Sequence, residues 1–281
     1  MQFREPLVKI ELESGIAFIT LCRPPVNALG LDLRRALRSA LEHAAGNSEV
    51  LAVIVLGSRR GFSAGGDKRE ICSGEAVAAP RLTLDLHPLL EQMHKPVVAA
   101  VHGYALGGGL ETVLACHFRV ACADAEVGLP EITAGIVPLS GTQRLPRLLR
   151  MAEAVQVILS GRKRPAREFA HTALFDRLVG AGDMHELRAA AIDLARTAMA
   201  HGPPYPLVRH LPIVDASADA VLRRSRRELP ESVDRYLRYA ALDALTAAVQ
   251  SRSFDEGMGI ATSICDGVLA GVGSARCGIQ D

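Results

Sequence analysis

Two uninterrupted apolar runs, at residues 50–56 and 96–101, constrain the fold of this chain more than any other feature. Each is short and rich in β-branched or small apolar residues. A run of that kind reads as a strand buried on both faces. Around them the chain alternates between strand and helix patterns. Residues 8–12 alternate apolar and polar, as a half-buried strand does, and residues 16–21 form a second strand after the Ser14-Gly15 turn. Pro24-Pro25 ends that hairpin. A helix is expected from about Asp32, a candidate N-cap, with Leu33, Ala36, Leu37, Ala40, Leu41 and Ala44 on one face. Arg34, Arg35 and Arg38 fall on the opposite face and form a basic stripe. Residues 82–94 carry a helical pattern interrupted by Pro88, residues 110–116 another, and residues 118–121 a strand.

The repeated order strand, strand, helix implies an α/β fold with crossover connections. Past about residue 142 the pattern is nearly all helical, with a break at Pro203, Pro204 and Pro206. We therefore expect a core over residues 1–200 and a helical C-terminal region over 201–281, whose last residues, 270–281, fray.

Composition narrows the function classes. Hydrophobic residues make up 49% of the 281, enough for a large core. With 32 basic against 31 acidic residues, the charge gives no general pull toward nucleic acid or anionic membrane. Residues 1–5 lack a basic-then-apolar targeting pattern, and no apolar stretch reaches the ~18 residues of a membrane span. The cysteines Cys22, Cys72, Cys116, Cys122, Cys265 and Cys277 show no C-x-x-C pair. They read as reduced thiols, with neither a disulfide framework nor a metal site. The expectation is a soluble cytoplasmic protein with no membrane or nucleic-acid partner.

Chemistry concentrates in two glycine-rich turns that each follow a buried strand. In His102-Gly103-Tyr104-Ala105-Leu106-Gly107-Gly108-Gly109-Leu110-Glu111, a helix begins at the glycines. The first N–H groups of a helix lack internal partners and sit at the positive end of its dipole, so they suit a negative charge. Gly61-Phe62-Ser63-Ala64-Gly65-Gly66-Asp67 repeats the arrangement, with a backbone N–H at Gly66. Two N–H groups from two such turns can grip one oxygen. Neither turn has the Gly-Lys-Ser/Thr ending of a phosphate loop, and the dinucleotide pattern G-x-G-x-x-G is absent. Close helix–strand packing is the alternative use of the same glycines. Glu111 stands in the first turn of its helix, where the dipole favours any acid. Glu131 follows Gly128-Leu129-Pro130, and by itself reads as a loop carboxylate. Around one small cavity, such a pair could take a proton from water and give one to carbon. His102 and His117 have no nucleophile or acid at a catalytic spacing and read as packed histidines.

These residues resemble the enoyl-CoA hydratase (crotonase) superfamily. The likeness runs through Pro96-Val97-Val98-Ala99-Ala100-Val101, Gly107-Gly108-Gly109-Leu110-Glu111 and Phe62-Ser63-Ala64-Gly65-Gly66-Asp67. It continues through Val127-Gly128-Leu129-Pro130-Glu131, on to Pro138, then Gly141-Thr142-Gln143-Arg144-Leu145-Pro146-Arg147 and Ser160-Gly161-Arg162, over about residues 7–180. It is similar above all to the N-terminal hydratase part of multifunctional β-oxidation enzymes, through Pro24-Pro25-Val26-Asn27-Ala28, Ala115-Cys116-His117-Phe118-Arg119 and Phe254-Asp255-Glu256-Gly257.

The resemblance implies a spiral of ββα turns with a helical C-terminal region. It implies hydration of a 2-enoyl-CoA, with Gly66 and Gly108 as oxyanion donors, Glu111 activating water and Glu131 protonating the α-carbon. Ala64, Gly65, Asp67, Lys68, Arg23 and Gly107 become candidate substrate-binding positions. Coenzyme A enters as part of the substrate, no other cofactor is implied, and the partner is a second copy of the chain, in trimers or paired trimers. Double-bond isomerisation, or thioester hydrolysis or dehydration, fits the same scaffold. A non-catalytic RNA-binding relative, using the Arg34-Arg35-Arg38 stripe, is the distant alternative. The chain departs from the family in its short loop after Pro138, in Lys68 where an apolar residue is usual, and over residues 268–281.

Overall fold

The computed structural model describes residues 6–58, 60–231 and 234–272. Strands β1 (Val8–Glu13) and β2 (Ile16–Leu21) form an antiparallel hairpin, and helix α1 (Leu31–Gly46) leads to β3 (Ala52–Gly57). Next come α2 (Lys68–Ser73), a 3-10 turn (Glu75–Val77), a π turn (Leu82–Leu86) and α3 (His87–Glu91). Then β4 (Val97–Val101), β5 (Tyr104–Leu106), α4 (Gly108–Ala115), β6 (Phe118–Cys122) and β7 (Glu126–Gly128) follow. A 3-10 turn (Pro130–Ala134), α5 (Ser140–Arg144) and α6 (Met151–Ser160) precede β8 (Arg164–Pro165) and β9 (Arg177–Val179). The rest is helical: α7 (Met184–His201), α8 (Ala218–Arg227), α9 (Arg235–Gln250) and α10 (Phe254–Val272).

The main sheet has the order β1-β2-β3-β4-β6-β9, and every pair after β1-β2 is parallel. A second sheet, β5-β7-β8, collects the short strands that follow β4 and β6. From β4 onward, β4 and β6 each add a strand to the main sheet, and the short strands that follow them, β5 and β7, add to the second. The apolar runs become β3 and β4, paired in register from Val53↔Val97 to Leu56↔Ala100 and buried almost throughout. Helix α7 packs across β3, β4, β6 and β9. Its buried face is Leu187, Ala190, Ala191, Ala195 and Ala198, small enough to let the helix lie close on the sheet. Asp183 caps it by accepting from the Glu186 N–H at 2.8 Å.

Helix α1 buries Leu33, Leu37, Ala40, Leu41 and Ala44, with about 1.5–3 kcal/mol per leucine from apolar burial. Two expectations about it need correction. Its N-cap is Gly30, and Asp32 lies in the first turn; Leu31 N–H is met by the Glu70 carboxylate at 2.7 Å instead. Arg34 is also buried, at 3% exposure, so the expected basic stripe loses a member. Its guanidinium finds acceptors in the segment that follows β3, which helical periodicity could not foresee. The pattern at 82–94 resolves into the π turn and the short α3, with Pro88 in its first turn, where no N–H is needed.

The chain forms two compact units. One contains residues 1–127 and 164–208, the other 128–163 and 209–281. In the second unit α9 packs on α10 and α5, burying Ala240, Ala241, Ala244, Leu245, Ala247 and Ala248. Gln143 of α5 donates to Ala244 O at 2.7 Å, and Asp215 accepts the Met151 N–H at 2.8 Å.

Cys22, Cys116, Cys122 and Cys265 are buried thiols outside any disulfide. Burial pushes Cys116 up to about 12 and Cys122 up to about 11, so both stay protonated and inert. The Cys72 side chain and Cys277 lie outside the described residues, as do 1–5 and the expected fraying end beyond Val272. Among the described residues, no helix is long and apolar enough to cross a membrane, and no group of three or more His, Cys, Asp or Glu could hold a metal ion.

Candidate active site

Three loops of the sheet unit build the site. The 61–66 loop is zipped onto β5: Phe62 and Ser63 N–H groups donate to Tyr104 O at 2.8 and 3.2 Å, and Leu106 N–H donates to Ser63 O at 2.9 Å. Asn27, in the loop after β2, ties in the third segment. Its side-chain amide donates to Gly61 O at 3.0 Å and Phe62 O at 3.1 Å, and its Oδ1 accepts from Arg23 N–H at 2.9 Å. Ser63 Oγ donates to Asn27 O at 2.7 Å and accepts the Gly65 N–H at 3.0 Å. Asn27 is 3% exposed and holds φ at +51°, a left-handed conformation that asparagine tolerates better than most residues. Asn27 and Ser63 were not singled out as site residues by sequence reasoning. The bonds that tie the Asn27 loop to the 61–66 loop span 34 to 36 positions of the chain.

This zipper sets the glycines face to face. Gly107, at φ +52° and ψ −128°, turns β5 into α4 with a backbone that a side chain would forbid. Gly65, at φ +91°, faces it so closely that a Cβ there would stand 2.6 Å from Leu106 O and 3.1 Å from Gly108 N. A Cβ on Gly108 would stand 3.6 Å from Gly66 N. The Gly66 and Gly108 backbones are therefore immediate neighbours. Gly108 opens α4, all of whose residues are buried, so the dipole at its N-terminus is little screened.

Apolar side chains meet the same two glycines. Ile71 Cδ1 lies 3.0 Å from the Cβ position of Gly66, and Leu82 Cδ2 lies 2.7 Å from that of Gly108. Glu111 is buried at 4% exposure in the first turn of α4, its N–H donating to Gly107 O at 2.9 Å. Glu131, in the second unit, is half-buried in the Pro130–Ala134 turn. Its carbonyl accepts from Ile136 N–H at 3.1 Å, which closes the turn. The short loop after Pro138 runs directly into α5 at Ser140.

Of the remaining candidates, Ala64 and Gly65 are in the zippered loop, and Ala64 N–H donates to Val26 O at 3.0 Å. Asp67 caps α2 by accepting from Arg69 N–H at 3.0 Å, and it pairs with Arg23 at 2.8 Å. Burial pushes the Asp67 carboxyl up, but the Arg23 hydrogen bond and charge and the backbone donors outweigh it and hold the carboxyl below its ordinary value. Arg23 also donates to Ala28 O at 3.0 Å. Lys68 is exposed at the start of α2. His117 is a packed histidine: its Nδ1 accepts from Val97 N–H at 2.9 Å, which leaves Nε2 to donate to Glu91 O at 3.1 Å.

The sequence model described as Enoyl-CoA hydratase/isomerase matches residues 11–226. The chain belongs to the enoyl-CoA hydratase/isomerase family. It is 36% identical over 250 residues to the human peroxisomal bifunctional enzyme, covering 85% of this chain and 33% of that one. It is 37% identical over 193 residues to a Bacillus subtilis protein named "Probable enoyl-CoA hydratase", covering 67% and 74%. The solved enoyl-CoA hydratase from Bacillus anthracis superposes with a TM-score of 0.63 at 27% identity, over 94% of this chain and 91% of that one. The chain spans between 23% and 33% of the length of the multifunctional relatives it matches. The expected likeness to their hydratase part, and the crotonase-like α/β spiral, are both borne out.

Proposed function

We propose that this member of the enoyl-CoA hydratase/isomerase family adds water across the double bond of a 2-enoyl-CoA. The adjacency of the Gly66 and Gly108 backbones carries the reading. A thioester oxygen accepting both N–H groups gains most as it becomes an oxyanion, by about 3 kcal/mol per donor. Glu111, as carboxylate, takes a proton from water while the water oxygen bonds to the β-carbon. The π electrons move to the α-carbon–carbonyl bond, and the carbonyl pair moves to the oxygen held by the two N–H groups. Glu131, as the acid, then gives its proton to the α-carbon and the carbonyl re-forms. A proton passes from Glu111 back to Glu131 through solvent, and the site is reset.

The cycle calls on no resident cofactor, and coenzyme A arrives and leaves with the acyl group. Exposed Lys68 is the better candidate for its phosphates, since Arg23 is engaged by Asp67. We further propose that the protein is a homo-oligomer, a trimer or paired trimers, and that it works in the cytoplasm.

The test is loss of the conjugated thioester absorbance with 2-enoyl-CoA substrates, for wild type, Glu111→Gln and Glu131→Gln. Each variant is expected to lose at least about a hundredfold in kcat. Migration of a 3-enoyl double bond without hydration, surviving in Glu111→Gln and lost in Glu131→Gln, would reassign the protein as an isomerase. Full hydration in either variant would sink the two-glutamate scheme.

A further inference from the structure

A buried arginine outside the catalytic loops controls the segment that meets both oxyanion donors. Residues 67–82 leave the site at Asp67, pass through α2 and the Glu75–Val77 turn, and return to it at Leu82. Near one end Ile71 touches Gly66, and at the other Leu82 touches Gly108. The backbone bonds within this stretch are local, such as Gly74 N–H to Ile71 O and Ala78 N–H to Glu75 O. It belongs to neither sheet.

Arg34 supplies the anchor. From α1 its Nε donates to Pro80 O at 2.9 Å, and its Nη2 to Ala78 O at 3.2 Å and Ala76 O at 3.4 Å. Its Nη1 donates to Leu29 O at 2.9 Å and pairs with the Glu70 carboxylate at 3.0 Å. Glu70 in turn accepts the Leu31 N–H at 2.7 Å, so the carboxylate grips the start of α1. One planar, permanently charged fork thus holds three carbonyls and one carboxylate of the segment. A lysine, with its point charge, cannot reach them together.

We infer that Arg34 is a positioning residue for substrate: by fixing residues 67–82 it sets Ile71 and Leu82 against the two donors and so fixes the width of the slot that takes the first carbons of the acyl chain. The inference rests on the reading of Gly66 and Gly108 as the thioester donors. Its chemistry is apolar and close-fitting, so it selects by the shape of the acyl group and adds no proton or charge to the reaction. Loss of the anchor should weaken ground state and transition state alike, which raises KM and leaves kcat little changed.

The experiment compares wild type, Arg34→Met, Arg34→Lys and Leu82→Ala, all as the full chain and all checked by circular dichroism. KM and kcat are measured for straight-chain and 2-methyl-branched 2-enoyl-CoA substrates, and tryptic cleavage at Arg69 and Arg81 is timed by mass spectrometry. For Arg34→Met we expect KM to rise about tenfold with kcat within about threefold, faster cleavage at both sites, and a smaller preference for the straight chain. Arg34→Lys, keeping the charge on Glu70, should fall between it and wild type. Leu82→Ala should shift the same preference without faster cleavage.

A folded Arg34→Met protein with wild-type KM, acyl preference and cleavage overturns the inference. If Arg34→Met does not fold, Leu82→Ala decides, and an unchanged preference refutes it. Should wild type hydrate no substrate, the hydration reading fails by itself. Cleavage rates with and without a saturated acyl-CoA then replace the kinetics, and Arg34→Met must still cleave faster and lose protection by the ligand.

Discussion

Asn27 concentrates the polar bookkeeping of the site in one side chain. Its amide meets Gly61 O and Phe62 O in buried bonds, and its Oδ1 meets Arg23 N–H in a part-buried one. Asn27→Ala would strand those groups and place alanine at φ +51°. We expect it to cost about 2–4 kcal/mol in stability, from unsatisfied buried groups plus left-handed strain, read as a lower urea midpoint. The same change should lower kcat more than it raises KM, because Gly66, the proposed oxyanion donor, moves with the 61–66 loop. Neither Asn27 nor Arg34 announces itself locally. A polar residue is assigned to the outside by periodicity, and these two are inside because carbonyls from distant segments come to meet them.

At the scale of elements, β3, β4 and α4 were legible because each is written in consecutive residues. Apolar runs make buried strands, and three glycines followed by an apolar stretch make a tight turn into a helix. The short β5, β7, β8 and β9 had no such signature, since two or three residues carry no period. Helix α10 shows a dependence that no single element reveals. A Cβ on Gly257 would stand 2.4 Å from Gln143 Oε1, and Gln143 is fully buried with its amide N–H on Ala244 O. Gly257→Ala is compatible with a helix, yet it must push Gln143 off that carbonyl. We expect a net loss of about 1–3 kcal/mol, with the denaturant midpoint lowered and the m-value unchanged. A gain in stability, as propensity alone would give, would refute this account of the α5–α9–α10 packing.

At the scale of the whole molecule, the stability of the sheet unit is tied to the neutral form of His117. Burial pushes its pKa down; the Glu91 carbonyl and charge oppose this, and Arg119 adds to it. The unfolded chain therefore binds the proton more readily than the folded one. Above the ordinary histidine value of 6.5 both states are neutral and nothing is lost. As pH falls from there toward the depressed native value, the fold loses up to about 1.4 kcal/mol per pH unit from this group. Thermal unfolding between pH 7.5 and 5.5 should show a flatter acid limb in His117→Gln than in wild type. The sequence by itself determined the two buried strands β3 and β4, the two glycine turns and the family, because each is encoded in short contiguous stretches. Only the tertiary structure decided that Gly66 lies beside Gly108, that Asn27 and Ser63 brace them, and that Arg34 turns inward. Those facts depend on hydrogen bonds between segments tens of residues apart, and local preference carries no information about which distant carbonyl a side chain will meet.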